Sequence, residues 1–284
     1  RTMSDFSPEW LALREPGDHR SRDPQLAQRL ASHFAGRGVV HVVDLGCGTG
    51  SNLRGTFHLL PVEQHWTLVD YDRRLLAAAR EAVLAWADDL ESSPRVDGGA
   101  LWLSKGDKRL RVDFRQADLN ADLDEALGPK PDLVTASAFF DLCSMAFINR
   151  LAAAVANRSA VFFTVLTYNG VQSWTPAHEA DAAMREAFVQ HQANDKGFGP
   201  STGPNAPAVL AEAFRAADYR VDEGDSPWDL AHADAGLIAD LAAGFAAAVA
   251  ETGAVNRSIL AAWSAVTRVH AVVGHTDTLA LPPA

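Results

Sequence analysis

The sequence predicts an α/β fold built on a mostly parallel, seven-stranded sheet with helices on both faces, and three observations carry that prediction. Short β-branched apolar runs alternate with helical patterns between residues 38 and 168. The first run, 39 to 45, leads into Gly46, Gly48 and Gly50 at alternate positions. Glycines there let a backbone take positive φ and approach a ligand closely, as at a strand-to-helix turn. The segments that break the rhythm, 100–115, 170–205 and 231–267, read as inserts in one domain, because no linker divides the chain.

Taken in order, residues 1–37 form an N-terminal flap and a first helix ahead of the core at 38–284. Asp23-Pro24, then Leu26, Leu30 and Phe34, then Gly36 give that helix its cap, its first-turn proline, its apolar face and its stop. Residues 39–45 are a buried strand, 52–60 a helix, 65–70 a second strand and 75–90 a second helix. Alternating residues on both sides of Gly106-Asp107 mark a hairpin that contains or leads into the third strand. A strand with its exit loop follows at 131–140 and further strands at 160–168 and 219–225, with a helix at 145–156. The stretch 170–205 begins as a helix and ends in a loop rich in glycine and proline. Two helical patterns in 231–267 part near Gly253, and the tail 270–281 returns to strand character.

Composition narrows the function. The 284 residues are 48% hydrophobic and 21% charged, an ordinary globular balance, with a net charge of -11. That charge opposes generic binding to nucleic acid or an anionic membrane, which needs clustered cations. Cys47 and Cys143 are the two cysteines and lie far apart, so neither a disulfide framework nor a Cys-x-x-Cys metal site is expected. With no signal-peptide pattern and no run approaching about 18 apolar residues, a cytoplasmic protein is expected. His178, Asp181 and His191 do not share one helical face, so no metal is expected either.

Two cofactor patterns compete at the glycine loop. The dinucleotide fingerprint wants its third small residue at position 51, but the glycine falls one residue early, at Gly50. Asp44-x-Gly46-x-Gly48-x-Gly50 is instead an acidic-GxGxG loop, and here the chain resembles the Rossmann-like class I S-adenosylmethionine-dependent methyltransferases. The resemblance spans about residues 38–168 and extends to later strand ends. It implies S-adenosylmethionine as cofactor, cradled by Asp44, Gly46, Cys47, Gly48, Gly50 and Asn52. It further implies the ribose on Asp70, beside Tyr71, the adenine near Asp118 and Leu119, and Ser137 along the cofactor. Arg14 or Arg20 of the flap is a candidate for the methionine carboxylate, since a guanidinium binds carboxylates with two parallel hydrogen bonds.

The acceptor side rests on less. Asp141 is either a general base or the cap of the helix at 145–156, and Tyr168 and Asn169 leave the fifth strand where a phenol and an amide would meet substrate. Phe140, His178, His191 and Lys196 are further candidates for substrate contact, the last two in a lid. The expected activity is methyl transfer by in-line displacement to nitrogen or oxygen of a small molecule. Alternatives are methylation of a protein or peptide side chain, a non-catalytic S-adenosylmethionine-binding partner or sensor, and, from the competing loop pattern, a nicotinamide enzyme. The apolar helices in 231–267 cover either their own core or a partner subunit.

Overall fold

The chain's central strand is buried along most of its length because both of its faces are covered, and the rest of the fold is arranged around it. The computed structural model describes residues 6–90 and 99–283. β1 (Val39–Leu45) lies between β2 (Glu63–Asp70) and β6 (Leu133–Ser137), parallel to both. Outward from β2 come β5 (Lys108–Gln116), parallel, then β4 (Leu101–Lys105) and β3 (Asp89–Leu90), antiparallel. On the other side β6 pairs with β7 (Val161–Thr175), which pairs with the antiparallel β10 (His270–Leu281), followed by β8 (Arg220–Asp225). β9 (Trp228–Leu230) adds to β10.

The sheet therefore has ten strands among the described residues, in the order β3-β4-β5-β2-β1-β6-β7-β10-β8 with β9 beside β10. Seven of them, from β5 to β8, are the expected sheet, and β3, β4 and β9 are additions at its margins. The order in which strands are added reverses at β1, toward β2 and β5 on one side and β6 and β7 on the other, so the carboxyl ends of β1, β2 and β6 open a crevice at the topological switch point, where ligands bind in open α/β sheets.

Helices cover both faces. α2 (Pro24–Phe34), capped by Asp23 through the N–H groups of Gln25 and Leu26, and α4 (Arg73–Trp86) pack one face around Leu30, Phe34, Trp66 and Val83. α5 (Leu123–Leu127), α6 (Met145–Ala156) and α8 (Ala206–Ala216) pack the other around Phe147, Phe162 and Phe214. Phe162 and Phe214 stack with ring centroids 4.4 Å apart. Short α3 (Ser51–Thr56) follows the glycine loop.

Several expectations change. The flap is a helix, α1 (Pro8–Ser21), capped by Ser7 and continuing past Pro16. The helix expected from residue 170 starts at α7 (Asp181–Gln192), because β7 runs on to Thr175 as the partner of β10. The hairpin is β4–β5, with β5 the third parallel strand, while α8 stands where no helix was read. α9 (Ala235–Thr252) ends at Gly253 with φ 65°, and α10 (Arg257–Ser264) follows. The expectation that no segment reaches membrane-span length is corrected: His232–Thr252 is long and apolar enough by length and composition. That segment carries Leu237, Ile238, Phe245 and Val249 buried against the protein and helps roof a cavity.

Candidate active site

The glycines after β1 adopt φ 61°, 53° and 78° at Gly46, Gly48 and Gly50, conformations that side chains other than glycine rarely take. A Cβ on Gly46 would lie 2.6 Å from the Phe139 ring, and one on Gly48 would lie 3.1 Å from Leu11 of α1. The turn is held from β2: the Gly48 N–H donates to Asp70 Oδ2 at 2.9 Å, and the Asp72 N–H donates to Asp70 Oδ1 at 2.9 Å. Each carboxylate oxygen keeps a second acceptor site, so Asp70 has capacity left for a ligand. Burial raises its pKa against the pull of those N–H groups.

Beneath the loop lies a polar cluster that faces the protein interior. Asp44 Oδ1 accepts from Asn52 Nδ2 at 2.8 Å, and the same amide group donates to Thr135 Oγ1 at 3.0 Å. Asn52 Oδ1 accepts from Arg22 at 3.1 Å and from Thr56 at 3.2 Å. Asp44 Oδ2 has no partner among the described residues, and burial pushes the carboxyl up to about 7. Asn52 and the Arg22 charge oppose that rise.

Two cavities open at this end of the sheet. The smaller, about 80 Å³, is bounded by Gly46, Cys47, Gly48, Asn52, Asp70 and Ser137, with Leu11 of α1 among its walls. The larger, about 240 Å³, lies under α1, α7 and α9 and against β7 and β10. Phe6, Arg14, Ala138 and Leu142 line both, so the cavities adjoin there. Ala138 and Leu166, on the larger cavity's wall, are non-glycine residues at φ 52° and 59°. Backbone in that region is strained and concentrates at functional sites. At Leu166 the surroundings enforce it: its N–H donates to the buried Asp277 Oδ1 at 2.8 Å.

The larger cavity contains polar groups left unspent by the fold. Tyr168 Oη, Gln172 Oε1, Gln192 Oε1 and His275 Nδ1 are buried without a hydrogen-bond partner among the described residues. Tyr168 is pushed up to about 12, by burial first and then by the Asp141 charge. His275 is pushed down to about 3 by burial and by Arg14. Asp141, in the 3₁₀ turn Phe140–Leu142, is raised to about 6 by burial, against backbone hydrogen bonding and the Arg14 charge. His191 Nε2 lies 2.8 Å from Glu251 Oε2, joining α7 to α9.

The structure brings together only part of the residue set chosen from sequence. Gly46, Cys47, Gly48, Asn52, Asp70, Ser137 and Arg14 line the smaller cavity, and Arg14, Asp141, Tyr168, His191 and Lys196 line the larger. Asp44 sits behind the loop, and Gly50 lies where a Cβ would meet Leu68, Arg54 and Val83. Tyr71 points to solvent, 57% exposed. Asp118 Oδ1 accepts the Asn120 N–H, and Leu119 packs in the apolar core with Phe147. Neither Tyr71, Asp118 nor Leu119 lines either of these two cavities.

On the acceptor side, Phe140 is fully buried against Phe139 and Phe162, because its turn points the ring into the core. Asn169 bonds Thr276 and the Val171 N–H, and His178 Nδ1 accepts from the Ala180 N–H, so both are occupied by local structure. Arg14 is not free for a carboxylate: Nε and one terminal nitrogen donate to Asp18 at 2.8 and 3.1 Å, and the guanidinium stacks 4.8 Å from the Trp228 ring. His275, Gln172, Trp228 and Phe245 were missed. A histidine and an aspartate, His275 and Asp277, in the middle of the tail strand were the available signal for the first. Among the described residues no group of His, Cys, Asp and Glu is placed to hold a metal.

No family model and no curated sequence matches this chain. Solved structures do share its fold. The cyclopropane synthase MmaA2 from Mycobacterium tuberculosis superposes with a TM-score of 0.51 at 11% identity, covering 97% of this chain and 95% of that one. The YcgJ protein of Bacillus subtilis does so with a TM-score of 0.50 at 12% identity, covering 94% and 99%. The fold is that of the class I S-adenosylmethionine-dependent methyltransferases.

Proposed function

We propose that this protein is an S-adenosylmethionine-dependent methyltransferase that methylates nitrogen or oxygen of a small-molecule acceptor. The observation that carries the reading is the junction of two unlike cavities at Ala138 and Leu142. One is walled by a bare glycine loop and a carboxylate, the other by apolar side chains with unpartnered polar atoms. A two-substrate transfer needs two such compartments sharing one opening.

The residues present fit the cofactor on the loop side. Gly48 is stripped of a side chain where Leu11 approaches, Asp70 retains acceptor capacity for ribose hydroxyls, and Ser137 borders the same space. When bound, S-adenosylmethionine supplies a sulfonium methyl: the acceptor's lone pair forms the new bond to carbon, and the sulfur–carbon pair returns to sulfur. The chain's own part is to orient the acceptor, exclude water and move one proton. Asp141 adjoins Leu142 at the junction and, with its carboxyl near 6, is mostly ionised at neutral pH, so a carboxylate oxygen can take the acceptor's proton. Tyr168, near 12, stays protonated and its Oη donates a hydrogen bond to the acceptor.

The roof of α1, α7 and α9 favours a small acceptor over a polypeptide side chain, because it encloses a cavity of about 240 Å³. The test is transfer of labelled methyl from S-adenosylmethionine in a cell extract separated into small-molecule and protein fractions. Label in the small-molecule fraction, lost with Asp141→Asn, is expected. Label in polypeptides alone would move the acceptor to the protein class.

A further inference from the structure

Lys196 is 6% exposed as a residue and borders the larger cavity, and its ammonium makes no hydrogen bond among the described residues. An ammonium that lines the cavity and that the fold does not bond is open to an anionic group placed there. Lys196 is also held in place. The Asp195 carboxylate accepts the N–H groups of Gly197 and Gly199 at 2.7 and 2.9 Å, and Phe198 anchors the turn 4.5 Å from the Phe147 ring. The nearby acid does not neutralise it. Glu251 feels the Lys196 charge, but its side chain is 65% exposed and is bound to His191.

The rest of the cavity specifies what accompanies that charge. Phe188 and Phe245 lie with ring centroids 4.7 Å apart on its roof, and Trp228 meets His275 at 5.3 Å on its floor. The faces and edges these rings turn to the cavity favour another ring packed against them. An apolar cavity of about 150 Å³ takes benzene; this one, about 240 Å³, has room for a substituted ring. Resting on the methyltransferase reading for the role of the site, we propose that the larger cavity binds an aromatic acid. Its anionic group sits on Lys196 and its ring lies among Phe188, Phe245 and Trp228. A hydroxyl or amine on that ring then faces Tyr168 and Asp141.

Binding can be read without turnover, because Trp10 and Trp228 both line the cavity and their fluorescence reports occupancy. The full chain is titrated with 4-hydroxybenzoate, 4-hydroxycinnamate and indole-3-carboxylate, each beside its neutral primary amide, and with hexanoate and octanoate. At least one aromatic acid is expected to bind ten times or more tightly than its amide, about 1.4 kcal/mol, and more tightly than either aliphatic acid. Lys196→Met is expected to bring that acid and its amide to equal affinity. Unchanged thermal melting and unchanged S-adenosylhomocysteine binding would show the variant folded; Lys196→Arg, which keeps the charge, serves if it is not and is expected to keep the preference. Equal affinity for acid and amide in the parent chain, no binding of any aromatic acid, tighter binding of the aliphatic acids, or a preference that survives Lys196→Met would each overturn the proposal. Separate titration with S-adenosylhomocysteine keeps the two readings apart. Aromatic acid bound without it sinks the methyltransferase reading alone, whereas its binding without any acid sinks only this one.

Discussion

The two cavities differ in how their polar groups are used. Around the smaller, Asp70 accepts two backbone N–H groups, Asn52 ties Asp44 to Thr135 and Arg22, and Arg14 is locked to Asp18. Around the larger, Tyr168, Gln172, Gln192 and His275 carry buried polar atoms with no partner among the described residues. The first arrangement is largely preformed: apart from Asp44 Oδ2 and Arg22 Nε behind the loop, the protein bonds its own groups, and Asp70 keeps second acceptor sites for a ligand. The second holds desolvated groups whose cost a ligand offsets by completing their hydrogen bonds.

That contrast is broken most severely at Asp141. If it takes the acceptor's proton, Asp141→Asn lowers turnover by about 100-fold or more while S-adenosylhomocysteine affinity stays within about twofold, as steady-state rates and calorimetry would show. In the parent enzyme turnover should rise with pH through about 6, where the carboxyl ionises. A flat pH–rate profile from 5 to 8 or an unchanged rate would remove the assignment.

Next in size is Asp70→Ala, which deletes both the ligand's acceptor and the anchor of the Gly48 N–H. S-adenosylhomocysteine affinity should fall about 100-fold, in keeping with about 1.5–3 kcal/mol for a hydrogen bond to a charged group, while the tryptophan response of the larger cavity persists. Loss of both responses together would mean that the two compartments are not independent.

A third effect concerns stability. Asp44 has its folded carboxyl raised to about 7 from an ordinary 3.8, so folding favours its protonated form. Its contribution to stability is complete below about 3.8 and is lost as pH rises through about 7, at up to about 1.4 kcal/mol per pH unit. Denaturant titrations of Asp44→Asn across that window should show a shallower decline than the parent; identical slopes would mean that Asp44 is ionised in the fold. The smallest effect is expected at Tyr168→Phe. Removing a buried hydroxyl that has no partner should leave stability unchanged or raise it by about 1 kcal/mol, while acceptor binding weakens several-fold. A fall in melting temperature would show that the hydroxyl is satisfied in the free protein.

The same division explains what could be read from sequence. The loop side was legible because its chemistry is local: strand, alternate glycines, then an acid at the end of the next strand, as in Gly46 to Gly50 and Asp70. Where that logic was pressed further, the structure places the side chains outside the two cavities. Asp118 Oδ1 accepts the N–H of Asn120 in its own turn and the Leu119 side chain packs in the core, and spacing alone does not reveal which way a strand-end side chain turns. The larger cavity is assembled from α1, α7, α9 and β10, elements far apart in the chain, so no short motif marks it. Arg14 looked available because its partner, Asp18, lies one helical turn away in a segment read as a flap. Phe140 looked like a pocket wall because a 3₁₀ turn, which decides that the ring faces Phe162, is not visible in composition.

The most direct test of the account is calorimetric titration of the full chain with S-adenosylmethionine and S-adenosylhomocysteine, with NAD as control. The account predicts one saturable site for each sulfur compound, with affinity in the micromolar range or tighter, and no heat with NAD. Saturable NAD binding, or no binding of either sulfur compound, would contradict the reading of the glycine loop on which the methyl-transfer assignment stands.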